Sequence, residues 1–252
     1  MSVENKGLIV KRYTTRDAMG VAAADAVADR MGELLSEKDT INMIFAAAPS
    51  QNEFLAHLLR KPIPWERIRA FHMDEYVALP AEAPQGFGNF LKERLFDKAP
   101  FQSVHYLNGN ADDLAAECDR YAALLAAHAP DIVCLGIGEN GHIAFNDPHV
   151  ADFNDPRLVK VVNLDAACLQ QQVNDGCFAV LEAVPRRALT LTIPALMRGK
   201  YLYCMVPAAS KARAVYNTLH AAIDPLYPSA ILRSHANAVL FLDEESSVLL
   251  NG

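Results

Sequence analysis

The chain of 252 residues is 52% hydrophobic and 21% charged, enough apolar material for a sizeable core and too little charge for a disordered polymer. Its 23 basic and 30 acidic side chains give a net charge of −7 with no basic block. That balance excludes bulk attraction to nucleic acid or anionic membrane, yet leaves room for a local cationic pocket that takes a small anion.

The opening MSVENKGLIVKRYTTRD carries Glu4, Lys6 and Lys11 around a three-residue apolar stretch at 8–10, so it does not read as a signal peptide. Residues 15–36 read as an alanine-rich helix with Asp17 favourably placed in its first turn. A short buried strand is expected at 41–46, followed by a helix at 50–59. Ser50 and Glu53 have the spacing of a capping box, which starts that helix at Ser50. A strand at 68–73 and helices at 87–96 and 112–128 come next, then a continuous apolar strand at 131–135. Strands at 189–193 and 201–206, a helix at 210–221, a strand at 238–242 and a short terminal helix complete the series.

Apolar strands alternating with helices imply an α/β fold in a single domain: a mostly parallel sheet with helices on both faces, a Rossmann-like three-layer sandwich. Clusters of Pro and Gly at 80–88, 146–156 and 224–229 read as loops over that sheet. Asn174, Asp175 and Gly176 form a turn signal. Five cysteines (Cys118, Cys134, Cys168, Cys177 and Cys204) form no CxxC pair and read as reduced thiols, so a cytoplasmic location is expected. No histidine spacing or Cys/His run points to a metal.

Ligands of such sheets bind beyond the carboxyl ends of the strands, which selects residues 46–51, 73–76, 136–148 and 206–211. The third stretch, GIGENGHIAFNDP, places Gly136, Gly138 and Gly141 in a G-x-G-x-x-G pattern. A dinucleotide fingerprint would run straight into a long helix, whereas Asn146, Asp147 and Pro148 break the chain. The glycines are better read as letting backbone approach a ligand while His142 and Asp147 point at it, histidine being the side chain suited to proton transfer near neutrality. Asp74 and Glu75 end a strand, where alternation sends them to opposite faces, one into the cleft and the other to a solvent or structural role. Small residues at 46–48 before Ser50 and Gln51 make a strand-to-helix turn with free backbone N–H groups, an anion site in form. Lys211 lies in the first turn of the later helix, where a cation opposes the helix dipole unless it faces an anion.

Together, MDEYVALP (73–80), GFGNFLKERLF (86–96), LGIGENGHIAFNDP (135–148), ALTLTIPAL (188–196), PAASKARAV (207–215) and SAILRSH (229–235) resemble the glucosamine-6-phosphate deaminase/isomerase family, related to the 6-phosphogluconolactonases. The likeness runs from about residue 40 to the end. It implies conversion of glucosamine 6-phosphate, or a close hexosamine 6-phosphate, and water to a ketose 6-phosphate and ammonia, with no cofactor and no metal. Asp74 then matches the base that moves a proton between C2 and C1, and His142 the histidine that opens the pyranose ring. Asp147 and Asn140 stand where the family usually has a glutamate and an aspartate, and Lys211 matches a phosphate-binding lysine. Ala47, Ala48, Ser50, Gln51 and Gly138 match the surroundings of the substrate.

The departures are specific. Asp147 is one methylene shorter than glutamate, and Asn140 brings no charge to His142, which leaves Glu139 as another partner for the ring. A phosphate-gripping arginine of the family's lid has no match, the region being Leu169, Gln170, Gln171 and Gln172. Alanines 46–48 replace a threonine/glycine loop. Two rival readings are a 6-phosphogluconolactonase-type hydrolase, which would carry a GHTASLF-like phrase, and a non-catalytic sugar-phosphate-sensing domain, which would need a basic DNA-binding segment. The expected partner is a small phosphorylated amino sugar, with neither nucleic acid nor membrane; self-association is left open.

Overall fold

In the computed structural model, residues 7–250 are described, so Glu4 and Lys6 of the leader reading lie outside the described residues. In chain order they form β1 (Leu8–Arg12), α1 (Arg16–Glu37), β2 (Ile41–Phe45), α2 (Asn52–Leu58), β3 (Ile68–His72), β4 (Asp74–Tyr76), α3 (Phe87–Arg94), β5 (Ser103–His105), α4 (Leu114–Ala127), β6 (Ile132–Leu135), β7 (Val159–Asn163), α5 (Ala166–Asn174), β8 (Arg187–Leu191), α6 (Ile193–Met197), β9 (Tyr201–Val206), α7 (Ala212–His220) and β10 (Ala238–Leu242).

Seven strands form one parallel sheet in the order β1-β10-β9-β6-β2-β3-β5. From β2 the chain proceeds through β3 to β5 at one edge, then returns to β6 and builds through β9 to β10 in the other direction. The order therefore reverses between β2 and β6, and the loops leaving these neighbours diverge to leave a crevice. The four stretches selected from the sequence follow β9, β6, β2 and β3, which are adjacent in the middle of the sheet.

Alternation along the strands divides the core between two faces. Met43, Phe45, Cys134, Met205 and Phe241 pack with Met19, Val27 and Met31 of α1 and Phe54 of α2. Ile44, Val133, Leu135, Cys204 and Leu240 pack with Tyr121 of α4 and Val215 of α7 on the other side. Each such fully buried side chain is worth about 1.5–3 kcal/mol. Thr15 caps α1, its Oγ1 accepting from the Ala18 N–H at 3.1 Å, and Asp113 caps α4 by accepting from the N–H groups of Ala115 and Ala116.

Several sequence expectations are corrected. The strand expected at 189–193 is β8, which lies outside the parallel sheet, in a small antiparallel sheet of order β4-β8-β7. Ile193 instead opens α6, because Thr192 caps the turn and Pro194 suits its first positions. The capping box at Ser50 does not form. Pro49–Gln51 make a 3₁₀ turn before α2, and the Glu53 carboxylate goes to Arg16 Nε at 2.7 Å instead of to the backbone. The expected helix at 210–221 likewise begins with a 3₁₀ turn, Ala209–Lys211. Strands β1, β4, β5 and β7 and helices α5 and α6 go beyond the sequence expectations; β4 and β5 have three residues each, too few to show a period.

Candidate active site

The four strand-end loops converge on a cavity of about 440 Å³. Ala47, Ala48, Ser50, Gln51, Asp74, Gly138, His142 and Lys211 all line it. Asn140 and Asp147 stand behind His142 rather than on the wall. Sequence reasoning missed Arg16, Phe87, Phe90, Arg94 and Asp175 and set Gln171 and Gln172 only in the region of the absent lid arginine; α1, α3, α5 and the residue after α5 bring all of them to the same space.

At one end sit the groups suited to proton transfer. Asp74 opens β4 and pairs in register with Thr190 of β8. Its side chain is 6% exposed and accepts no hydrogen bond among the described residues. Burial pushes its carboxyl well above the usual carboxylate range, and the neighbouring Glu75 charge adds to the shift. Glu75 points the other way, as alternation requires, and takes a structural role. Its oxygens accept from the N–H groups of Phe87 at 3.0 Å and Gly88 at 2.8 Å, docking the first turn of α3.

His142 is oriented from behind. Its Nδ1 lies 2.8 Å from Asn140 Oδ1 and 3.1 Å from Asp147 Oδ1, so that nitrogen carries the proton and Nε2 is left toward the cavity, with no protein partner among the described residues. Gly138 is required by this packing, since a Cβ there would fall 2.2 Å from the imidazole Cε1. Gly141 sits at φ +88°, where side-chain-bearing residues are strained. Asp147 is fully buried. Burial alone would raise its carboxyl, but the hydrogen bond and charge of His142, the Asn140 amide and the Asp165 N–H outweigh that and hold it below its ordinary value. The shorter Asp147 thus reaches the ring, and the uncharged Asn140 serves as a bridge, its amide donating to Asp147 at 3.0 Å and Asp165 at 3.1 Å. Glu139 is not the partner of the ring: its carboxylate lies toward Asn174 of α5.

At the other end donors are left without partners. The N–H groups of Ala47 and Ala48 have no acceptor among the described residues. Their turn is braced by Arg16, which also lines the cavity and donates to the Pro49 carbonyl. Gln51 Nε2 donates to Ser50 Oγ at 3.0 Å and to the Met205 carbonyl at 3.3 Å, which ties the turn to β9. Lys211 is 5% exposed and has no hydrogen-bond or ion-pair partner among the described residues. Burial lowers its pKa, and the more distant carboxylates of Asp175 and Glu139 only partly offset that. An unpaired buried ammonium is costly unless a ligand completes it. Ala208, three residues earlier, is held at φ +83° while Asp243 accepts its N–H through both oxygens, so the turn bearing Lys211 is strained and braced.

Tertiary structure also gathers metal-type donors that no local spacing announced. His142, Asp147 and Cys168, and separately Asp147, His149 and Asp165, come within 4.8 Å of one another. In both groups Asp147 is already engaged by His142, Asn140 and the Asp165 N–H.

Comparison with known proteins fits this arrangement. A family model described as glucosamine-6-phosphate isomerases/6-phosphogluconolactonase matches residues 14–241. The glucosamine-6-phosphate deaminase of Bacillus thuringiensis (strain Al Hakam) is 34% identical over 214 residues, 85% of this chain and 80% of that protein, and that of Bacillus cereus (strain AH820) matches equally. Among solved structures, a monomeric glucosamine-6-phosphate deaminase described as the missing link of the NagB superfamily superposes with a TM-score of 0.86 at 29% identity, covering 95% of this chain and 99% of that one. A 6-phosphogluconolactonase from Thermotoga maritima superposes at 0.77 and 22% identity over 94% of this chain and 99% of its own, a likeness of fold alone. The chain belongs to the glucosamine-6-phosphate isomerase/6-phosphogluconolactonase family.

Proposed function

We propose that this chain is an amino-sugar phosphate isomerase/deaminase that converts glucosamine 6-phosphate, or a close hexosamine 6-phosphate, and water to fructose 6-phosphate (or the matching ketose) and ammonia. The observation that carries the reading is the pairing, in one cavity, of an unbonded carboxyl and a free imidazole nitrogen with an unpartnered buried ammonium.

The phosphate is taken by Lys211 and the turn at Ala47, Ala48, Ser50 and Gln51, binding energy placed away from the reacting carbons that holds C1 and C2 in position. His142, oriented by Asn140 and Asp147, exchanges a proton with the ring and hemiacetal oxygens so that the pyranose opens. Gly138 lets the imidazole lie flat against the wall. Asp74 removes the proton from C2, giving an enolamine, and returns it to C1; water adds to the resulting imine at C2 and ammonia leaves. The raised Asp74 carboxyl makes it a stronger base than an exposed aspartate, as an abstraction from carbon needs.

This enzyme is proposed to work as one domain in the cytoplasm. Among the described residues no helix is long and apolar enough to cross a membrane. Light scattering tests whether copies of it associate, the neighbouring deaminase being described as monomeric. Purified protein should release ammonia from glucosamine 6-phosphate and leave 6-phosphogluconolactone unhydrolysed; lactone loss without ammonia would sink the assignment. Tight binding without turnover of either would mark a sensing domain.

A further inference from the structure

Helix α5 covers the cavity and presents two buried glutamines to it. Gln171 is committed at both ends: its Oε1 accepts the Glu139 N–H at 2.8 Å and its Nε2 donates to Asp175 Oδ2 at 3.2 Å. Gln172 is committed at one end only. Its Oε1 accepts the Tyr76 hydroxyl at 2.7 Å, which turns Nε2 outward, and among the described residues that amide has no acceptor. The residue is 6% exposed and lines the cavity, so the small surface left to its amide opens there. Nε2 is not sealed from solvent, so a ligand oxygen in the cavity would replace water as its acceptor.

Its chemistry limits what that oxygen is. A neutral amide neither titrates nor neutralises charge, so it adds little to a phosphate already facing Lys211, but it is a fixed donor for an uncharged acceptor. Its aim is set from two sides. Tyr76 lies two residues after Asp74 on β4, hence on the same side of that strand, and is wedged among Phe87, Phe145 and Phe178 with ring centroids 4.8, 5.3 and 5.6 Å away. The Gln172 carbonyl accepts from the N–H groups of Cys177 and Phe178, which fixes the end of α5. We propose that Gln172 determines specificity by donating a hydrogen bond from Nε2 to a hydroxyl oxygen of the sugar, and that Tyr76 is the positioning residue that ties this contact to the strand carrying Asp74. The assignment rests on the amino-sugar phosphate reading above.

Calorimetry with two probes tests it, fructose 6-phosphate and inorganic phosphate, on wild type, Gln172→Met and Tyr76→Phe, alongside KM and kcat for glucosamine 6-phosphate. Loss of one hydrogen bond should weaken fructose 6-phosphate binding by about tenfold in Gln172→Met and raise KM by a similar factor, with inorganic phosphate affinity within about twofold. Tyr76→Phe, which frees the amide to swing, should show the same selectivity at about threefold. Unchanged fructose 6-phosphate affinity and KM in folded Gln172→Met, with only thermal stability lowered, would make the residue purely structural and overturn the proposal. Equal weakening of both probes would overturn it too, since the contact would then be to phosphate. Should Gln172→Met fail to fold, the Tyr76→Phe/Gln172→Met double variant leaves no hydroxyl unpaired and gives the same comparison. Wild type that releases no ammonia sinks the deaminase reading itself; wild-type turnover with an unaltered KM in the variants sinks only this assignment.

Discussion

The two ends of the cavity are built on opposite plans. Around His142 the neighbouring polar groups are paired: Asn140, Asp147 and Asp165 bond to one another, Asn140 and Asp147 also reach Nδ1, and Nε2 has no partner among the described residues. Around Lys211 several donors are left open among the described residues, with alanines for walls, unaccepted N–H groups at Ala47 and Ala48, and an ammonium with no ion-pair partner. The contrast suits the tasks proposed for the two ends. A proton is passed only along a defined line, so the group that passes it is held by others. A phosphate is bound by whatever donors the fold leaves unsatisfied, so the protein withholds partners there. Asp74 belongs to the first end by its proposed role yet resembles the second in being unbonded, and its burial, with the charge of Glu75 beside it, raises its carboxyl.

The severest break of this picture is Asp74→Asn. Turnover should fall by about 10²–10⁴-fold while fructose 6-phosphate affinity barely moves. In wild type the acid limb of kcat/KM should lie above the ordinary carboxylate range, because Asp74 must lose its proton before it can act. The same raised value has a stability consequence. The native state holds that proton more tightly than the unfolded chain, so the group favours folding below the ordinary carboxyl value and its contribution is lost as pH rises through the raised value. Asp74→Asn should therefore melt above wild type at neutral pH, with the gap closing in acid; equal melting across the range would deny the buried, unbonded carboxyl.

Next is Asp147→Asn. Asn140 still holds Nδ1, so the loss should be less than the ~10⁴-fold of a histidine deprived of its sole orienting group, on the order of a hundredfold in kcat. Here the linkage runs the other way. The lowered Asp147 carboxyl stabilises wild type above the ordinary carboxyl value, and this is lost as pH falls through the lowered one, so a denaturation series from pH 7 into acid should bring wild type toward the variant. Lys211→Ala, at the open end, should act on KM more than kcat, by about 10–100-fold, the size of a charged hydrogen bond. Steady-state kinetics that showed the loss in kcat alone would place the lysine with the proton-handling groups instead. The smallest effect is Ser50→Ala. A true helix cap would cost about 1 kcal/mol. Because Ser50 only accepts from Gln51, chemical denaturation should register a change within about 0.5 kcal/mol.

The site was legible where its residues sit directly after apolar strands. The runs at 41–46 and 131–135, each followed by small residues or glycines, mark β2 and β6, and the rule that ligands bind at strand ends led to His142, Asp74 and Lys211 without knowledge of strand order. The split between Asp74 and Glu75 was likewise readable from alternation. Ser50 and Glu53 carry a capping pattern that is local, whereas the Glu53 carboxylate goes to Arg16, thirty-seven residues upstream and on another helix. Gln171 and Gln172 carried no local signal beyond Asp165 as the cap of α5, which accepts the Cys168 N–H at 2.7 Å.

The amino-acid sequence by itself determined the alternation of strands and helices and the chemical character of the loops between them, because hydrophobic period and turn residues act over a few positions. Which loops meet, which of several carboxylates reaches His142, and which side chains of α1, α3 and α5 close the cavity were decided only by packing, because those contacts join segments that have no influence on one another until the sheet has brought them together.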